Sequence, residues 1–308
     1  TPEQILNLYE NRTYLIDSNE TLTDDVWQGC ISPNDGFSDG LQVCSSNLTV
    51  VSGTTAPSID TISLNSTDPT TNLTSTNLTS HVTYSDAESD NVKIIYDWKL
   101  NGTSIALVNL PFEKINESGT SNYRDYSDNN FIIDVSGSPA WSGSIGHDGL
   151  GAYTFDGDDD YFTINGSSGD DFDTNTPKTI VMWINITSKT TNDRIFTKNR
   201  NSGGLGYGTA FLEAGGLEAF FNDGTEMTCG LTSFSTGTMS HIAIRYNGSA
   251  ATDIDCFLDG SAVSGPVHSS GTNGFDSNDN LQIGGRATSS QFFNGKIGQM
   301  VRSMNWIP

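Results

Sequence analysis

Basic residues are scarce in this chain: 14 Lys and Arg stand against 37 Asp and Glu, a formal net charge of −23 at pH 7. So one-sided a surface repels phosphate backbones and anionic lipid headgroups, which excludes nucleic acid and anionic membranes as partners. Long apolar runs are missing too, and without a stretch of about 18 apolar residues no membrane span is expected. Cysteine and histidine number four each. No histidine (His81, His147, His241, His268) lies near a cysteine in sequence, and the cysteine spacings are not those of a zinc site. Cys30 with Cys44 and Cys229 with Cys256 read as two disulfides of an oxidising compartment, with four free buried thiols as the alternative. The first residue is Thr rather than Met, as in a processed product or a window of a longer chain.

What the chain has in plenty is Gly, Ser, Thr, Asn and Asp. Asn-X-Ser/Thr occurs at Asn11, Asn19, Asn47, Asn65, Asn72, Asn77, Asn101, Asn116, Asn165, Asn185 and Asn247. That is about twice the chance expectation for this composition, and such a density points to a glycosylated, extracellular, cell-surface protein.

Periodicity predicts an all-β protein. Residues 1–12 form a short N-terminal helix, with Pro2 in the first turn and Ile5, Leu8 and Tyr9 on one face. Strands are expected at Asp25–Ser32 and Leu41–Val50, with Cys30 and Cys44 across a hairpin. Ile59–Leu64, His81–Tyr84, Val92–Leu100 and Ser104–Leu107 follow. About twelve short strands then fill residues 110–308. Among them Lys178–Ile184 is nearly all apolar, which predicts a central strand buried on both faces. The last, Gly295–Met304, follows an Asn294-Gly295 turn and brings Ile297, Met300 and Trp306 to the end of the chain.

Two stretches carry family resemblances. Asp86 to Asn91, the strand ending Tyr96-Asp97-Trp98, Asn101-Gly102-Thr103, and Trp27-Gln28-Gly29-Cys30 with Pro33-Asn34-Asp35-Gly36 resemble the Ig-like and PKD-like modules of secreted, often archaeal, surface proteins. The order is reversed here, so residues 21–52 read as the closing strands of one module and 58–109 as the opening strands of the next. From Gly149-Leu150-Gly151-Ala152-Tyr153-Thr154-Phe155-Asp156-Gly157 through Met182-Trp183-Ile184, Phe257-Leu258-Asp259-Gly260 and Leu281-Gln282-Ile283-Gly284-Gly285, the chain resembles the laminin-G-like, concanavalin-A-like jelly roll. By that resemblance residues 1–9 look like the jelly roll's own C-terminal helix, displaced to the N-terminus. The expected fold is therefore a large antiparallel jelly-roll sandwich (110–308) plus an Ig-like β-sandwich (21–109), with a short N-terminal helix. Residues 1–20 would be a tail that docks on a neighbouring unit.

Chemistry is sparse. Glycanases on the concanavalin-A-like fold carry Glu-x-Asp-x-x-Glu, and none of the nine glutamates shows that spacing. No catalytic residue is assigned. His241, on a strand, reads as a packed, half-buried histidine. No cofactor is required; Ca²⁺ is the one the acidic turns admit, through Asp125, Asp156 and Asp158. The reading that follows is structural and non-enzymatic. The chain would be a subunit or tandem repeat of an extracellular filament or surface layer, pairing head-to-tail with copies of itself. Ile5, Leu8, Tyr9, Trp27, Ile297, Met300 and Trp306 would make the assembly contacts. The alternative is a carbohydrate-binding adhesin module, with glycans as ligands as well as covalent attachments; an accessory domain of a glycan-active enzyme comes third.

Overall fold

Alternation of apolar and polar residues turns the described strands between Ala106 and Ser303 into two stacked antiparallel sheets. The structure is a computed structural model of the 308-residue chain. It describes residues 2–10, 12, 14–16, 20–50, 55–68, 70, 73, 75–113, 123–165, 178–188, 190, 193–198, 206–211, 217–222, 226–231, 235–246, 254–263, 266–267, 280–286 and 291–303. The chain divides into two units, Thr1–Val92 and Lys93–Pro308.

In the second unit, sheet I runs in the order Ala140–Ser142, Ala152–Asp156, Asn294–Ser303, Lys178–Ile186, Met239–Tyr246, Ile254–Leu258, Ser261–Ala262. Sheet II runs Ile132–Ser136, Tyr161–Asn165, Leu281–Ile283, Phe196–Lys198, Gly206–Phe211, Leu217–Asn222, Glu226–Leu231, Pro266–Val267. Met239–Tyr246 shows the logic: Ile242, Ile244 and Tyr246 are buried, while His241, Ala243 and Arg245 between them are half-buried. Lys178–Ile186 is central, as its apolar run predicts: it pairs with Met239–Tyr246 on one edge and Asn294–Ser303 on the other. Phe155, Phe162, Ile180, Ile184, Leu217 and Ile283 fill the space between the sheets. The Cys229–Cys256 disulfide crosses it, joining Glu226–Leu231 of sheet II to Ile254–Leu258 of sheet I with both cysteines buried.

The last strand corrects the expectation placed on it. Asn294–Ser303 is not an edge waiting for another unit. Its first half pairs with Ala152–Asp156, its second half pairs on that same side with Ala106–Leu110, and Lys178–Ile186 takes its whole other side. Within Asn294–Ser303 both sides of the strand are therefore taken up by strands of the same chain. Ile297 and Met300 are fully buried core residues rather than assembly contacts.

The Ig-like sandwich is corrected as well. Among the described residues, positions 21–104 form only two-stranded ribbons: Val26–Trp27 with Leu48–Thr49, Cys30–Ile31 with Val43–Cys44, Ser58–Ser66 with Leu78–Ser85, and Lys99–Leu100 with Thr103–Ser104. The strand expected at Val92–Leu100 shrinks to Lys99–Leu100. Ala106–Leu110, placed in the Ig-like part by sequence up to Asn109, belongs to the jelly roll. Cys30 and Cys44 are bonded directly across their ribbon.

An N-terminal helix as a component of the fold is likewise corrected. Pro2–Tyr9 makes only two turns, its described apolar side chains Ile5, Leu6 and Tyr9 are exposed, and the sheets alone build the fold. In the whole unit Thr1–Val92, the one described residue that is buried is Ser66.

Candidate functional site

One end of the sandwich gathers carboxylates. Ala152–Asp156 of sheet I runs into Tyr161–Asn165 of sheet II through the turn Asp156-Gly157-Asp158-Asp159-Asp160. Gly157 takes φ +84°, which a side chain would resist, and the reversal folds the acidic residues back on themselves. Carboxylate oxygens of Asp156, Asp159 and Asp160 lie within 4.8 Å of one another. Asp160 is 3% exposed, while Asp156 and Asp159 face solvent.

The cluster is held from several sides. The Ser138 amide donates to Asp160 Oδ1 at 2.6 Å, and the Asp156 amide donates to Asp160 Oδ2 at 3.1 Å. The Asp158 amide donates to Asp156 Oδ1 at 2.8 Å, and Asn294 Nδ2 to the Asp156 carbonyl at 2.6 Å. Gly137, at φ +71°, packs so close that a Cβ there would collide with the Asp159 and Asp160 carboxylates. Burial pushes the Asp160 carboxyl above the usual aspartate value against those two amide donors, and the charges of Asp156 and Asp159 push it the same way. A cation among the three oxygens would relieve that repulsion. All the donors are hard oxygens, so the group suits Ca²⁺ or Mg²⁺ rather than a soft metal.

The residues singled out from sequence divide. Asp156 is in this cluster; Asp158 contributes its amide, and Asp159 and Asp160 supply the other carboxylates. Asp125 is elsewhere and differently employed. It is 1% exposed and takes four donors: the amides of Asn109 (2.8 Å), Ser127 (3.0 Å) and Phe131 (3.1 Å), and Ser127 Oγ (2.7 Å). These donors tie it to the surrounding loop, and it lies outside the Asp156–Asp159–Asp160 group.

Of the glycosylation motifs, Asn47, Asn65, Asn77 and Asn101 are exposed. Asn165 is half-buried, hydrogen-bonded to Asp134 and Asn280. Asn185 is buried near the end of the central strand Lys178–Ile186. Asn11, Asn19, Asn72, Asn116 and Asn247 lie outside the described residues, as do Trp306 and the side chain of Leu8. Trp27, 36% exposed, sits on the Val26–Trp27 ribbon.

Sequence reasoning missed a second group, on the face of sheet I away from the core. His147 lies flat on Trp183, ring centroids 4.1 Å apart at 3°, and His241 leans on the same indole at 5.1 Å. Residues 147, 183 and 241 share no local spacing, so only the sheet register could have joined Trp183 to His241, which it pairs directly.

Comparison with known proteins agrees with the jelly roll. The model of the concanavalin A-like lectin/glucanases superfamily matches residues 156–301. No curated protein matches the sequence. Among solved structures, the binding domain of botulinum neurotoxin serotype G is similar with a TM-score of 0.52 and 10% identity, over 66% of this chain and 48% of that one. The receptor-binding domain of the C/D mosaic serotype gives 0.52 and 10%, over 66% and 49%. The serotype D ligand binding domain in complex with N-acetylneuraminic acid gives 0.50 and 11%, over 66% and 48%. This chain spans about half the length of the structures it matches, and at these identities the likeness is one of fold. Among the described residues, no helix is long and apolar enough to cross a membrane.

Proposed function

We propose that the chain is a non-enzymatic carbohydrate-binding module of an extracellular adhesin, with a divalent cation at Asp156, Asp159 and Asp160 taking part in the contact. The observation that carries this reading is the three-carboxylate cluster at the end of a concanavalin-A-like jelly roll. Ca²⁺ takes six to eight oxygens, so three carboxylates leave positions that sugar hydroxyls or a sugar carboxylate can fill. On a chain of net charge −23 an acidic sugar needs such a bridge. The two disulfides suit an oxidising, extracellular setting.

Calorimetric titration of the full chain tests this, with N-acetylneuraminic acid and a panel of neutral oligosaccharides as probes. Saccharide binding in Ca²⁺ is expected to fall at least about tenfold with chelator or in Asp160→Asn, which loses one charged acceptor of the cluster. Binding that ignores both changes would remove the cation from the account, and no binding of any saccharide would sink the reading.

A second reading, assembly, has one observation in its favour. On the Ser58–Ser66/Leu78–Ser85 ribbon, register puts Ile59, Ile62 and Leu64 on one face with Val82 and Tyr84. Ile59, Ile62 and Leu64 are 54%, 72% and 57% exposed, and Val26, Ile31, Val43 and Leu48 of the other ribbons are exposed too. Uncovered alternating faces of this kind are what a partner strand layer covers. A second copy that offered its Val26–Thr49 ribbons would cover both sets, and repeated in series the contact would propagate. Sedimentation of the full chain should show concentration-dependent oligomers that Ile62→Lys abolishes. Monomers at all concentrations would end this reading without touching the first.

A further inference from the structure

Residues 143–151 join Ala140–Ser142 to Ala152–Asp156 by crossing the outer face of sheet I. We propose that this segment is an acid-released strap over Trp183. The inference stands apart from the glycan reading and does not need it.

Three features pin the strap at neutral pH. A β-bulge leaves Gly298 unpaired, because Trp183 faces Gln299 while Ile184 faces Ile297. The strap lies directly over this bulge: a Cβ at Gly298 would be in ordinary van der Waals contact with it, 3.6 Å from the Gly146 Cα. His147 then stacks on Trp183. Beyond it, Lys93 Nζ bridges Asp148 Oδ2 and Glu113 Oε1, each at 3.1 Å, and Glu113 takes the Gly151 amide at 2.9 Å. Of these contacts, the imidazole stack is the one whose charge changes in mildly acidic solution.

The groups facing the two histidines decide the sign. His147 faces Asp148 on its own segment, Lys93 from the stretch before the first jelly-roll strand, and His241 across the indole; Glu113 stands behind Lys93. His241 faces Asp259, whose carboxylate takes the His241 amide at 2.7 Å, and His147. Burial is the largest influence at both imidazoles and holds them below the ordinary histidine value. Asp148 opposes it at His147 and Asp259 at His241, while Lys93 and His147 respectively add to it. The open strap therefore takes up protons before the closed one. The closed form is fully favoured above the ordinary histidine value and loses ground as pH falls below it. Two imidazolium ions on one indole also repel each other, so the second proton favours release further. Opening would uncover Trp183 and, beside it, the half-buried Val181, Ala243 and Phe257.

Hydrogen exchange on the full chain, corrected for intrinsic rates, tests this. Between about pH 7.5 and about pH 5 the amides of Gly146 to Gly151 should lose about tenfold in protection. In His147→Phe, which keeps the stack and cannot titrate, they should keep it. His241→Asn, which removes the neighbouring charge, should move the release midpoint to lower pH. Unchanged wild-type protection at the acid end, equal loss in His147→Phe, or an unmoved midpoint in His241→Asn would each overturn the proposal.

Discussion

Replacing Asp125 by alanine is expected to cost about 3 kcal/mol of stability, because it leaves three backbone amides, two buried and one half-buried, without an acceptor at about 1–3 kcal/mol each. The amides belong to Asn109, Ser127 and Phe131, and Ser127 Oγ loses its acceptor too. These donors come from the Ala106–Leu110 strand and from the loop that leads into sheet II, so one carboxylate ties the start of the jelly roll to its body. Asp125→Asn, which keeps an acceptor oxygen, should lose roughly half as much. Chemical denaturation with and without chelator separates this from a metal role. The loss should be the same in both, whereas a metal ligand's loss would be copied by chelation of the wild type.

Phe162→Ala is expected to cost about 3–5 kcal/mol, the usual range for a fully buried phenylalanine. Phe162 is 0% exposed, and four rings surround it: Phe112 at 5.6 Å, Tyr123 at 4.9 Å, Tyr153 at 5.3 Å and Phe155 at 5.2 Å. Phe155 and Tyr153 rise from sheet I and Phe162 from sheet II, so the cluster is where the two layers meet. Close-packed aromatic rings relax little into a void. For a unit of this size the midpoint of thermal unfolding should fall by about 2–4 °C per kcal/mol, roughly 6–20 °C in all. Phe162→Leu, which refills most of the space, should recover about half of that.

How far these features could be read in advance depended on how local they are. The jelly roll was legible because alternation and turn residues are local signals. Lys178–Ile186 announced its central place by being apolar throughout, and Asp259-Gly260, with φ +50° and +78°, makes the hairpin its sequence signals. Which side of Asn294–Ser303 lacked a partner was not legible. Both sides are filled, one of them by a strand nearly two hundred positions earlier that had been assigned to another domain. The acidic turn was visible as composition, and only the fold shows which of its members converge. Asp125 and Asp156 looked alike in sequence. One turned inward onto backbone amides and the other outward beside two more carboxylates. The His147–Trp183–His241 stack was invisible, since it needs a bulge at Gly298 and a crossing loop. In residues 21–104 the Ig-like pattern was present in the alternation, yet among the described residues its strands pair only two by two.

A glycan array probed with the full chain, in Ca²⁺ and in chelator, shows whether this jelly roll binds saccharides through a cation-assisted site. A confined set of saccharides, acidic ones among them, should bind in Ca²⁺ and be lost in chelator and in Asp160→Asn. Signal no higher than background across the array in Ca²⁺ would contradict it.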